Sequence, residues 1–437
     1  MMSENSLKLG AKKLIETCIG LGKGEELVIF CDAARIHLAD ACTGAALKAE
    51  AHSSIFVIPE AARPIQRLSE VMKTSMEEAD AVLIMLSHSH AETKFRKQIV
   101  DYTRRRPLRV ANMPGVERVH LEKWISLPYE ELAINTERVA SALLKAKKAE
   151  ILTKAGTHIE IPLAGWDSGA VEGETGLLTE PGLWGNLPAG EAFIVPALRK
   201  ANGTIVVDGS IPNLAIKHPL TITVERGKAT NIQPKDCEEC RILSRSFREG
   251  GPNSKVLVEL GIGTNNQITT VQGSTIADEK IMGTVHFGFG SSAAFGGPIE
   301  ADNHDDLVVL KPTVLLDGIP LIKEGQFSKD FVFAEEAKNT APLGVPTARK
   351  IARKEGVRCM EISGHLHRYW KGCLGFKHMT KIGNENTSNT ARKIWYNIGG
   401  FKPYSKTVHE LARILEVNDE IILRTLAVMD KYGLISY

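Results

Sequence analysis

No run in this chain of 437 residues approaches the roughly 18 consecutive apolar residues that a membrane-crossing helix requires. The start, Met1-Met2-Ser3-Glu4-Asn5-Ser6-Leu7-Lys8, also lacks the apolar core of a secretory signal, so a cytoplasmic protein is expected. Excess charge of either sign is missing: the formal net charge is +2, which gives no global electrostatic case for nucleic acid or a membrane surface. The seven cysteines lack the rhythm of a disulfide framework. Cys237-Glu238-Glu239-Cys240 is a lone CxxC with no second pair at zinc-ribbon spacing. What is present is a soluble globular composition, 43% hydrophobic and 24% charged, in a chain too long for one ordinary core. Two or three domains are expected.

Residues 1–148 read as an α/β N-terminal domain. Apolar strands at 26–30, 54–58, 81–86 and 108–111 alternate with helical stretches at 6–20, 34–50, 62–75 and 91–105, the pattern of a parallel sheet covered on both faces. Ser87-His88-Ser89-His90 follows one of these strands, at the edge where such sheets bind ligands, although histidines near a helix start are ordinary loop residues too. A long helix at about 129–148 then leads into short β-rich runs separated by glycine turns. Residues 149–335 are therefore expected to form a mainly antiparallel, β-rich metal-binding domain.

Five metal-capable side chains fall in that second region. Glu191 stands at the mouth of the apolar strand Ala192-Phe193-Ile194-Val195, and Glu259 interrupts Val256-Leu257-Val258-Glu259-Leu260-Gly261. His286 lies within Thr284-Val285-His286-Phe287-Gly288, while His304 and Asp306, two residues apart, share one face of a strand. Either glutamate alone is explained by a helix cap or an arginine partner. Three carboxylates and two imidazoles in core-like strands need a compensating charge, and a divalent cation is the simplest one. Donors without thiolate suit Zn, Co, Mn or Fe. The set is large enough for two adjacent cations with one bridging carboxylate, whereas His-x-Asp with one more donor suits a mononuclear iron site with open positions.

The ordered motifs Glu180-Pro181-Gly182-Leu183-Trp184-Gly185-Asn186-Leu187-Pro188-Ala189-Gly190-Glu191, Glu259-Leu260-Gly261-Ile262-Gly263-Thr264-Asn265, Asp278-Glu279-Lys280-Ile281-Met282-Gly283-Thr284-Val285-His286 and His304-Asp305-Asp306 resemble the M29 aminopeptidases over about residues 5–330. That resemblance implies a homodimer with two metal ions, Zn, Co or Mn, held by Glu191, Glu259, His286, His304 and Asp306, with Glu191 and Glu279 as catalytic acids. The expected reaction is hydrolysis of an amide bond at the N-terminal end of a peptide, or of a related small amide, by metal-activated water. The 2,5-dihydroxypyridine dioxygenases are similar as well, sharing the Glu-Pro-Gly-x-Trp stretch, and they imply the alternative of one Fe(II) and ring cleavage. Their pattern has no acid at the position of Glu191 and histidine at that of Glu259, so retention of both glutamates and His286 favours the hydrolase. A tyrosine that the peptidases carry seven residues after His286 is here Ala293, and the interval from His286 to His304 is short for them. A non-catalytic peptide-binding protein is the third reading.

The last hundred residues differ in texture. A basic linker at 336–390 includes 346–380, where eight basic side chains face two acidic ones. Cys359, His365, His367, Cys373 and His378 within it fit no standard zinc spacing. Residues 391–437 resemble a winged helix, with amphipathic patterns around Leu411, Ile414, Leu415 and around Ile422, Leu426, Met429. Asn418-Asp419-Glu420 would place negative charge at the start of its recognition helix, so DNA is not the expected partner. A packing module, or recognition of a peptide by strand addition, is expected instead.

Overall fold

The computed structural model describes residues 4–328 except 88–91, 93–94, 96–97, 100–101, 103–107, 126–127, 164–170, 180–182 and 293–297. The histidines His88 and His90, Ala293, the basic linker and the winged-helix-like segment all lie outside the described residues.

The first layer is a five-stranded parallel sheet ordered β2-β1-β3-β4-β8, built from β1 (Glu26–Asp32), β2 (His52–Ile58), β3 (Ala81–Met85), β4 (Arg109–Asn112) and β8 (Trp184–Asn186). Its central strands, Leu-Val-Ile-Phe-Cys in β1 and Ala-Val-Leu-Ile-Met in β3, are buried along their whole apolar length, because helices pack on both faces. Among these are α1 (Glu4–Lys13), α2 (Ile36–Lys48) and α3 (Glu70–Glu77). The helix expected at 62–75 begins later. Pro64 keeps Arg63 extended, and Ser69 caps the true start by accepting a hydrogen bond from Met72 N at 3.3 Å.

At the carboxyl ends of β1 and β3 a buried ion network closes the sheet. Arg63 forks onto Glu92 (2.9 and 2.6 Å) and reaches Asp32 (3.2 Å), and Asp32 also accepts from Arg35 and from the amide and hydroxyl of Ser87. Burial raises the Asp32 pKa, but the Ser87 hydrogen bonds and Arg35 outweigh it and hold the group below the usual aspartate value.

After α4 (Tyr129–Lys145) the chain builds two antiparallel sheets. The larger runs β14-β13-β10-β6-β5-β18-β19-β20, comprising β5 (Lys148–Leu152), β6 (His158–Pro162), β10 (Asn202–Val207), β13 (Leu220–Glu225), β14 (Lys228–Gln233), β18 (Thr313–Leu316), β19 (Ile319–Lys323) and β20 (Gln326–Phe327). Alternating burial in β6 and β13 leaves one of its faces to solvent. The smaller runs β17-β16-β15-β9-β7, comprising β7 (Val171–Glu174), β9 (Glu191–Ile194), β15 (Leu257–Gly263), β16 (Val285–Gly290) and β17 (His304–Val309). A two-stranded ribbon, β11 (Ser210–Ile211) and β12 (Leu214–Ala215), completes the set. Ile151, Ile159, Ile205, Ile222 and Val314 of the larger sheet and Leu260, Ile262, Phe287 and Leu307 of the smaller one share a single hydrophobic core. Helix α5 (Glu238–Glu249) joins it through Leu243 and Phe247. Cys237 is the N-cap of that helix, its sulfur accepting from Cys240 N at 3.3 Å, which gives the lone CxxC a structural role. No helix among the described residues is long and apolar enough to cross a membrane.

Candidate metal centre

The five residues singled out in the sequence converge on one face of the smaller sheet. Strand periodicity explains why: Leu260, Ile262, Phe287 and Leu307 turn into the core, so Glu259, His286 and Asp306, one residue removed, turn the opposite way. Register brings them level, since Glu259 of β15 pairs with Gly288 of β16, which pairs in turn with Asp306 of β17. A Cβ at Gly288 would stand 2.7 Å from Glu259 Cβ, 3.0 Å from Asp306 Oδ1 and 3.0 Å from His304 Cε1. Glycine is required there because the ligand side chains fill its space.

Three donor groups satisfy the mutual distances needed to share an ion, with all ligand atoms of a group within 4.8 Å of one another: Glu259-His304-Asp306, Glu191-Glu259-His286 and Glu279-His286-Asp306. Within the first, His304 Nε2 lies 3.2 Å from both Glu259 Oε2 and Asp306 Oδ1, while His304 Nδ1 contacts the Ser291 carbonyl at 2.7 Å. That contact assigns a proton to Nδ1 and makes Nε2 the nitrogen that could meet an ion, the arrangement that metal-bound histidines use. His286 is placed differently. Its Nε2 lies 3.3 Å from Glu259 Oε1 and 3.1 Å from Glu191 Oε2, yet its buried Nδ1 has no hydrogen-bond partner among the described residues. Glu191 Oε2 and Asp306 Oδ1 are likewise buried, and each meets an imidazole nitrogen, His286 Nε2 at 3.1 Å and His304 Nε2 at 3.2 Å.

Those crowded oxygens test whether a cation fits. Several carboxyl groups buried within 4.8 Å of one another are costly unless positive charge meets them, and an all-oxygen-and-nitrogen set suits a hard or borderline divalent ion. The residues fit a divalent metal. Among the described residues the His304 side chain is 28% exposed and Asp306 12%, against 5% for Glu191 and Glu259 and 1% for His286.

The sequence reading missed two members of this cluster, Lys280 and Glu174. The Lys280 ammonium, fully buried, contacts Glu191 Oε1 (2.5 Å), Glu279 Oε1 (2.6 Å) and Glu174 Oε2 (2.9 Å). Lys280 directly follows Glu279 in the sequence, yet a lysine ordinarily reads as a surface residue, so only the fold reveals its burial. Burial pushes the Glu191 pKa up, but Lys280 and His286 outweigh it and hold the carboxyl at about 2. Glu279, also buried, moves the other way: desolvation lifts it well above the usual range, with Lys280 opposing and Glu191 and Asp306 adding to the rise. Glu174 in turn accepts from Asn186 Nδ2 (3.1 Å), and Asn186 Oδ1 accepts from Asn112 Nδ2 (2.9 Å), linking the cluster to the edge of the parallel sheet.

Comparison with known proteins adds the family. The family model described as NicX, 2,5-dihydroxypyridine 5,6-dioxygenase, matches residues 11–329. The 2,5-dihydroxypyridine 5,6-dioxygenase of Pseudomonas putida KT2440 is 24% identical over 223 residues, 48% of this chain and 62% of that protein. The chain thus spans less than two thirds of the length of this relative. The solved structure of 2,5-dihydroxypyridine dioxygenase from the same organism superposes with a TM-score of 0.61 at 17% identity, covering 75% of this chain and 99% of that one. Wild-type AmpT from Thermus thermophilus superposes with a TM-score of 0.57 at 17% identity, covering 74% and 99%. At such identities the structural likenesses establish the fold. The family match overturns the expectation of an M29-type metallo-aminopeptidase hydrolase, including its peptide substrate. The physical reason is that the shared fold and the oxygen and nitrogen donors set where a cation sits, and they do not set which bond it helps to break.

Proposed function

Because the chain belongs to the 2,5-dihydroxypyridine 5,6-dioxygenase family, we propose that it is an iron-dependent dioxygenase that opens a dihydroxylated aromatic ring of the pyridine type. The observation that carries this reading is the family match over residues 11–329, which spans every member of the Glu259-His304-Asp306 group. One imidazole and two carboxylates would hold the ion, with Glu259 standing where the common facial triad has a second histidine. A ferrous ion supplies the redox chemistry that dioxygen requires and a Lewis acid for a ring hydroxyl. The chain's own residues do the rest. Ser291 fixes the His304 ring through its carbonyl, and Gly288 leaves the space in which Glu259 and Asp306 converge. His286 can hold a proton at Nε2 between Glu191 and Glu259, within the buried half of the site, while His304 is the more exposed of these side chains and marks the side a substrate would approach.

The test is anaerobic loading with Fe(II), followed by oxygen-electrode and absorbance measurements with 2,5-dihydroxypyridine. Matched consumption of ring and oxygen is expected. A metal-loaded protein that consumes neither would refute the proposal.

A further inference from the structure

Lys280 is the group in this site that the proposed reaction does not need. Its position is nevertheless tightly determined. The 280–281 backbone lies against Gly263 of β15 so closely that a Cβ there would approach Lys280 C to 2.8 Å. Backbone hydrogen bonds fix the residue on both sides, Lys280 N to Ala277 O (3.1 Å) and Asn265 N to Lys280 O (2.9 Å). From that anchor the side chain enters the cluster with no exposed surface, and each of the three ammonium protons has a carboxyl oxygen to meet, on Glu174, Glu191 and Glu279. This ammonium, 2.5–2.9 Å from three carboxyl groups, meets Glu191 at Oε1 and so already supplies positive charge to the residue whose Oε2 faces His286.

His286 points to the same division of the site. As a ligand of a second ion its Nδ1 would be expected to donate to a carbonyl or carboxylate, and that atom is buried without a partner among the described residues. His304, in contrast, has the Ser291 carbonyl at its Nδ1. One half of the cluster is therefore supported as a metal site, and the other half already carries a positive charge.

We propose that the Lys280 ammonium is a built-in cation that fills the Glu191 half of the cluster, so that the chain binds one metal ion, on Glu259, His304 and Asp306. Glu191 is then the counter-ion of Lys280 and His286, and Lys280 sets the metal stoichiometry. This inference rests on the metal-binding reading above, and it is independent of which reaction the ion supports.

Direct titration of the metal-free protein with Fe(II) under anaerobic conditions, and with Zn(II), counted by equilibrium dialysis and elemental analysis, decides it. Wild type is expected to bind one equivalent and Lys280→Met a second. Two equivalents on wild type, or none, overturn the proposal, as does a folded Lys280→Met protein that still takes only one. Should Lys280→Met not fold, Glu191→Gln decides alone. It should keep its single equivalent with affinity changed by less than about threefold, against the roughly 10- to 100-fold loss expected when a group supporting a ligand is removed. A larger loss in Glu191→Gln makes Glu191 a ligand and refutes the assignment. One bound ion with no oxygen uptake would sink the dioxygenase reading and leave the role of Lys280 standing.

Discussion

Replacing Gly288 by alanine adds one methyl group at the point where Glu259, Asp306 and His304 meet. The new Cβ would lie 2.7 Å from Glu259 Cβ and 3.0 Å from both Asp306 Oδ1 and His304 Cε1. Carbon atoms rest at about 3.5–4.0 Å, so Glu259 must retreat by roughly 1 Å or the β15–β16 pair must spread by that amount. Metal–ligand distances tolerate about 0.2 Å, so one ligand is lost or badly strained. The expected fall in metal affinity is about 10- to 100-fold, or about 1.4–2.7 kcal/mol. Overpacking costs the fold about 1–3 kcal/mol in addition, with the mutated strand still paired on both sides. Competition against a chromophoric chelator measures the first effect, and thermal melting of the metal-free protein separates the second. An alanine variant that binds metal within twofold of wild type would refute the reasoning that Gly288 holds space for the ligands.

Other expectations concern both layers. Glu259→Gln should abolish tight metal binding while the apo-protein stays folded, as judged by circular dichroism beside the titration. Arg63→Ala removes the guanidinium that neutralises Glu92 and part of the Asp32 charge in a buried setting, and urea unfolding should register a loss of about 3–5 kcal/mol. A midpoint unchanged from wild type would show that the network is not a buried ion cluster. Because the Asp32 pKa is depressed in the folded state, its contribution to stability is present above the unfolded value of about 3.9 and disappears as pH falls through the folded one. Unfolding midpoints measured from pH 7 down to pH 3 should therefore fall less steeply below about pH 4 in Asp32→Asn than in wild type.

Much of the centre was legible because strands reveal themselves by what interrupts them. Glu259 within Val-Leu-Val-Glu-Leu and His286 within Thr-Val-His-Phe could not be ordinary core residues, and the two-residue spacing of His304 and Asp306 placed them on one face before any register was known. Lys280 was hidden because its burial depends on contacts far apart in sequence: Gly263, Glu174 and Glu191 surround it, and none of them is its neighbour along the chain. The reaction was hidden for a different reason. The glutamates at 191 and 259 were both weighed as ligands of a two-ion site, although a glutamate can equally serve as partner to an ammonium, and the two roles look alike in a sequence. Among the helices, the one expected at 62–75 started late because Pro64 and Ser69 outweighed the apolar pattern.

The path Asn112–Asn186–Glu174–Lys280 has a consequence for how the molecule comes apart. Asn186 belongs to β8, which completes the parallel sheet, and only a few residues later the same peptide becomes β9 with Glu191. Peeling β8 from β4 would break the Asn112–Asn186 bond and remove the donor to Glu174, loosening the lysine clamp in the same event. Thermal melting should thus proceed as one cooperative transition, followed alike by a probe in the first layer and by release of bound metal. A gene fragment ending at residue 148 would lack β8 and leave the β4 edge open, so it should yield an aggregating product.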